Sequence, residues 1–105
     1  MGAVSEVEIT DVPDERRFEA RIDGVPAGRA EYILAEGLIV FSHTEVEPEF
    51  EGRGIGSALA RYSLDDARRR GLAVLPVCPF YRAFLADHPE YADVVYRPAE
   101  SRVTD

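Results

Sequence analysis

His43-Thr-Glu-Val-Glu-Pro-Glu-Phe-Glu-Gly52-Arg-Gly54-Ile-Gly56-Ser-Ala-Leu59 is the stretch on which the fold turns. Its first residues alternate as a strand does, with His43 and Glu45 on one face and Thr44 and Val46 on the other. Gly52, Gly54 and Gly56 then recur at every second position where the strand gives way to a helix. Glycine at such a junction admits a positive φ and lets a ligand come close to the backbone. A helix opening there presents unpaired N–H groups at the positive end of its dipole, a ready site for an anion such as a pyrophosphate. Two familiar phosphate loops do not fit. The Walker loop needs Gly-Lys-Ser/Thr, and this chain has no lysine. The dinucleotide fingerprint Gly-x-Gly-x-x-Gly would place its last glycine one residue later. A glycine turn that only packs a helix against a strand is the other reading of the same spacing.

Upstream of the loop the chain reads as an antiparallel meander. Val7 and Ile9 alternate with polar residues in a run from Val4 to Thr10, and Phe18, Ala20 and Ile22 do so from Arg16 to Ile22. Asp11-Val-Pro-Asp14 carries turn chemistry, and Asp23-Gly24 is a short hairpin signal. A third run covers Ala27–Ala35. After Glu36-Gly37 a fourth begins with Leu38-Ile-Val-Phe41, whose unbroken apolar character predicts burial on both faces. Downstream, Ile55, Ala58, Leu59, Tyr62 and Ala67 recur at helical spacing from Gly54 to Arg70. Arg68-Arg-Arg70 suits the negative end of the dipole, and Gly71 suits a left-handed cap. Leu72–Val77 predicts a fifth strand, Phe80–Ala86 a shorter helix stopped before Pro89, and Tyr91–Tyr96 a last strand.

The 105 residues include 20 acidic and 12 basic ones, all twelve arginine, for a net charge of −8. That length predicts one domain over residues 1–97, followed by a polar tail at 98–105. A pI near 4.7 argues against general nucleic-acid binding and favours cationic partners. No apolar run approaches the ~18 residues of a membrane span, and Met1–Thr10 carries Glu6 and Glu8 in place of a basic-then-apolar signal. The single cysteine cannot form an internal disulfide, so a cytoplasmic protein is expected. Two histidines 45 positions apart and one cysteine predict no metal site. The free edge of a meander is compatible with a monomer or a weak homodimer.

Val46-Glu-Pro48, followed by Gly52-Arg-Gly54-Ile-Gly56-Ser57 at a helix start, resembles the acetyl-CoA pyrophosphate loop of the GNAT superfamily of N-acetyltransferases. Glu51 departs from that pattern, standing where glutamine or arginine is usual; Arg53 is the cation available nearby. His43-Thr-Glu-Val46 and Cys78-Pro-Phe-x-x-x-Phe84-x-x-x-His88-Pro-Glu-Tyr91 extend the resemblance to the minimal YjdJ-like branch, over residues 38–95. The resemblance implies an α+β, GNAT-like (acyl-CoA N-acyltransferase) fold, with a mixed, mostly antiparallel sheet, two main helices, and strands 4 and 5 splayed apart. It implies acetyl-CoA or coenzyme A in that gap, an amine acceptor, and acetyl transfer to a primary amine of a small molecule or protein. The alternative is a non-catalytic CoA-binding module or partner subunit.

By the same resemblance, the backbone of Thr44 and Val46 would pair with the pantetheine amides. The stretch Gly52, Arg53, Gly54, Ile55, Gly56 and Ser57 would hold the pyrophosphate, and Tyr81 and Arg82 would flank the cofactor. Larger relatives often use a tyrosine as general acid, and the closest position here is Phe84, which has no proton to give. Cys78 is then the candidate beside the thioester, as proton donor or as an acetylated nucleophile, against the bland reading of a buried small hydrophobe. His43 and Glu45 are candidates for taking a proton from the acceptor and orienting it. The alternation Glu45, Glu47, Glu49, Glu51 reads equally as an acidic rim for a cationic acceptor or as a solvated edge.

Overall fold

The computed structural model describes residues 7–98. Five strands form one sheet in the order β1-β2-β3-β4-β5: β1 Val7–Val12, β2 Arg17–Ile22, β3 Val25–Ala35, β4 Leu38–Val46 and β5 Ala73–Pro76. The first four are antiparallel neighbours, and β5 runs parallel to β4. The parallel step needs a crossover, and helix α1, Ile55–Arg70, supplies it. Helix α2, Pro79–Asp87, follows β5. This is an α+β arrangement, a mixed and mostly antiparallel sheet with two main helices.

The helices cover one face of the sheet. Phe18, Ala20 and Ile22 of β2, Ala30 and Tyr32 of β3, Ile39 and Phe41 of β4 and Val74 of β5 turn toward that face. There they meet Ile55, Leu59, Ala60, Leu64 and Ala67 of α1. Phe41 stacks on Tyr81 of α2 with ring centroids 4.2 Å apart, and the Tyr81 hydroxyl hydrogen-bonds Ser63 of α1 at 2.8 Å. One aromatic ring thus joins β4 to both helices. The other face is uncovered among the described residues, so Leu38 and Val40 are only half-buried. The Leu38–Phe41 run is therefore interior by pairing, between β3 and β5, and not by burial on both faces.

Several boundaries move. Asp11 and Val12 continue β1, and a 3-10 turn at Pro13–Glu15 ends with Arg16 in the left-handed region; the predicted strand start at 4–6 lies outside the described residues. Tyr91–Tyr96 is not a strand. Pro89–Val94 forms a 3-10 helix, and only Val95 makes a bridge, to Val74. Side chains on α1 hold that segment in its coil. Arg68 donates to the Asp93 carboxylate at 2.6 and 3.0 Å and to the Glu90 carbonyl at 2.8 Å, while the Tyr91 hydroxyl donates to Asp65 at 2.9 Å. Arg69 and Arg70 both pair with Asp66, so the arginine run is spent on helix-end ion pairs. Gly71 caps α1 at φ 70. No helix of the described residues is long and apolar enough to cross a membrane.

Candidate functional site

Strand β4 has two neighbours along its first half and one along its second. Its ladder with β5 runs from Leu38↔Ala73 to Phe41↔Pro76 and stops. The Phe41 carbonyl then accepts from both the Val77 and Cys78 amides, at 3.0 and 2.8 Å, and the chain turns away into α2. From Ser42 to Val46, β4 continues against β3 alone. A split opens there, closed at one end by Cys78 and leading at the other to the glycine loop.

A bulge decides which side chains face the split. In the β3–β4 register Tyr32 pairs with Phe41 and Glu31 with His43, leaving Ser42 as the extra residue. Without it, His43 and Glu45 would share the inward face with Ile39 and Phe41. With it, Val46 packs on the core and Thr44 is half-buried, while His43 and Glu45 are exposed. The Cys78 thiol, 3% exposed, donates to the Thr44 hydroxyl at 3.4 Å, a side-chain link across the split.

The backbone of this half-strand is directed too. Glu47 N–H bonds to the Ala27 carbonyl at 2.8 Å. This makes Gly28↔Val46 and, two residues on, Ala30↔Thr44 non-hydrogen-bonded pairs of the antiparallel ladder. The N–H and C=O groups of Thr44 and Val46 therefore point away from β3, toward the open side. Gly28 allows the close packing behind them: a Cβ there would stand 2.9 Å from the Glu45 carbonyl and 3.0 Å from Ile55. A glycine inside a strand is the sequence signal for such an approach.

The loop meets the conditions set by its glycines. Gly52 and Gly54 have φ of 81 and 79, with nothing within 4 Å of a Cβ at either position. Gly54 is the N-cap of α1, and the first helical bond runs from Ala58 N–H to its carbonyl at 3.0 Å. The amides of Ile55, Gly56 and Ser57 thus have no partner within the helix. Arg53 lies over the Phe50 ring at 5.3 Å, and Glu51 is exposed. Gly56 differs from its two companions: a Cβ there would stand 2.9 Å from Phe80 Cζ, so a side chain at this position would push the Phe80 ring aside.

The structure thus gathers Thr44, Val46, the 52–57 loop and Cys78 around one split. His43 and Glu45 lie on the outer face of β4, where Glu45 accepts from Arg29 at 2.7 Å and lies 3.3 Å from His43 Nε2. Arg29 also donates to Glu31, and Arg17 to Glu19, which holds both carboxyls below their usual range. On the same face, a cleft of about 170 Å³ lined by Arg17, Glu19, Arg21, Arg29 and Glu47 does not include Cys78. Tyr81 is a core residue, fully buried, and burial pushes its phenol well up. Arg82 is exposed on α2. His88 Nδ1 donates to the Phe84 carbonyl at 2.7 Å and its ring stacks on Phe84, so it finishes α2 and stays out of the split. Ser42, Gly28 and Phe80 had no role assigned to them from the sequence, although Phe80 lies in the Cys78-Pro-Phe motif. No group of three metal-ligating side chains gathers among the described residues.

No curated protein matches the chain. The solution structure of a Staphylococcus aureus protein described as GCN5-like superposes with a TM-score of 0.66 at 22% identity, covering 98% of this chain and 100% of that one. The sequence pattern of the family described as GCN5-related N-acetyl-transferase matches residues 17–94, from β2 through the 3-10 helix that Arg68 clamps. With three quarters of its length inside that pattern and its fold alike, the chain belongs to the GCN5-related N-acetyltransferase family.

Proposed function

We propose that this protein transfers an acetyl group from acetyl-CoA to the nitrogen of a primary amine. The observation that carries the reading is the open edge of β4, with outward-directed amides at Thr44 and Val46, ending in a loop built for an anion. An extended ligand carrying amides adds to such an edge as a further strand would. The loop suits the pyrophosphate of the same ligand, because no side chain crowds Gly52 and Gly54 and the amides of Ile55, Gly56 and Ser57 are unspent. Arg53 adds a cation, and Glu51, being exposed, has room to turn outward.

Acetyl-CoA, when bound, supplies an acyl group activated as a thioester. Transfer needs a proton delivered at the departing sulfur and another removed from the amine nitrogen. Cys78 is the proton-bearing group at the closed end of the split, shielded from water and oriented by Thr44. A thiol there is also placed to accept the acetyl group itself. His43 and Glu45 serve an acceptor that approaches over the outer face, with His43 receiving the proton and Glu45 orienting it. The net charge of −8 and the run of Glu47, Glu49 and Glu51 favour a cationic acceptor. A binding-only reading draws on one observation: the buried hydroxyl of Tyr81 is taken up by Ser63, so it offers no acid to the split.

Calorimetric titration with acetyl-CoA and with CoA, followed by turnover across a panel of primary amines, tests the proposal. Binding and acetylated product are expected, with Cys78→Ala binding acetyl-CoA within a few-fold and turning over at least about tenfold more slowly. Absence of heat at millimolar ligand ends the reading. Binding without turnover leaves the binding module, and full turnover by Cys78→Ala removes the cysteine from the chemistry.

A further inference from the structure

Phe80 stands where the two halves of the split meet. It is the second residue of α2, two residues after Cys78, and its ring rests on the first turn of α1 at Gly56. The contact is tight: a Cβ on Gly56 would come within 2.9 to 3.4 Å of three ring atoms. The ring also meets Tyr81 edge-on and Phe84 at a tilt, with centroids 6.1 and 6.2 Å away. It is nevertheless 37% exposed, so it is not a core side chain. With its far edge in solvent, the ring is held over Gly56 from one side, and any side chain at Gly56 would displace it. Farther along, the helices are joined by Ser63 and Tyr81, and by Arg61 over the Phe84 ring. Near the loop, the Phe80–Gly56 contact spaces them.

We infer that Phe80 is a positioning residue, which through Gly56 sets the distance between the anion-binding amides at the start of α1 and the Cys78 end of α2. The inference rests on the proposed binding of acetyl-CoA along the split. A ligand reaching from the loop to Cys78 senses that distance, whereas a ligand that occupies one end does not. Phe80 thereby favours donors whose anionic and acyl ends are separated by one particular length.

The test measures affinities of the full chain for acetyl-CoA, acetyl-pantetheine and inorganic pyrophosphate. The variants are Phe80→Ala, Gly56→Ala and the double variant. Each single variant is expected to weaken acetyl-CoA roughly tenfold, and Phe80→Ala, which leaves the loop itself intact, to keep the two fragments within about twofold. The double variant is expected to be no weaker than either single, because both act through one contact. Phe80→Leu, which refills the space over Gly56, is expected to recover most of the lost affinity. Equal losses for all three ligands in Phe80→Ala, additive losses in the double variant, or unchanged acetyl-CoA affinity in the singles each overturn the inference. If the parent chain binds acetyl-CoA and the variants bind as tightly, this inference alone fails. If the parent does not bind it, the proposed function fails first.

Discussion

The two halves of β4 share a backbone, a neighbour in β3 and nine consecutive residues, yet they serve different ends. Leu38–Phe41 is paired on both edges and carries Ile39 and Phe41 into the core, where Phe41 meets Phe18, Tyr32 and Tyr81. Ser42–Val46 is paired on one edge and carries Thr44 and Val46 toward a split. What separates them is a single extra residue and the departure of β5 at Pro76. The stable half is stable because its backbone groups and its side chains are satisfied by the protein. The other half keeps its inward side chains supported while leaving one row of backbone groups directed at an opening. A binding edge in a small domain needs both, since an edge without packing behind it would fray.

Deleting Ser42 should break this division most severely. Uninterrupted alternation would turn His43 and Glu45 inward and Thr44 and Val46 outward. Burial of two ionisable groups away from Arg29 is expected to cost on the order of 4 kcal/mol, read from denaturant unfolding. A deletion variant as stable as the parent would show that the bulge does not govern the strand's faces. Phe41→Ala comes next, at about 3–5 kcal/mol, as a large side chain removed from a closed core. Thr44→Ala, three residues on and half-buried, should cost about 1 kcal/mol or less. Equal costs at the two positions would erase the contrast between the halves.

The smallest effect belongs to the outer face. Arg17 and Arg29 hold Glu19 and Glu31 below the ordinary 4.5 in the folded chain. Carboxyls depressed in this way add stability that is present above their unfolded pKa and lost as pH falls through the folded value. Thermal melts should therefore show stability declining below about pH 4.5. At the alkaline end the sign reverses: the Tyr81 and Tyr32 phenols are raised, so the folded chain keeps protons that the unfolded one releases. Stability should fall again above about pH 10. A flat profile between pH 3 and 5 would show that the outer arginine–glutamate pairs are energetically idle.

The glycine loop was legible in the sequence because its requirements are local. A positive φ at Gly52 and Gly54 and a left-handed cap at Gly71 depend on the residue and its immediate neighbours. The pairing of His43 with Glu45 on one face, and of Thr44 with Val46 on the other, was legible for the same reason. Which of those faces looks inward was not, since that depends on Ser42 bulging against β3. Tyr81, expected beside the cofactor, is a buried ring stacked on Phe41 and hydrogen-bonded to Ser63, contacts that no local signal in the sequence marks. The strand expected at Tyr91–Tyr96 failed because Arg68 and Asp65, more than twenty residues away, hold that segment in a 3-10 turn.

By itself, the amino-acid sequence determined the order of the five strands and two main helices, where the chain turns, and a glycine loop with positive φ at the start of α1. Periodicity and backbone dihedral preference act over a few residues. Tertiary structure alone decided that β5 leaves β4 at Phe41, that the Cys78 thiol meets the Thr44 hydroxyl, and that the Phe80 ring rests on Gly56. Each of these is a register or a contact between segments distant in the chain, set by how the whole core closes.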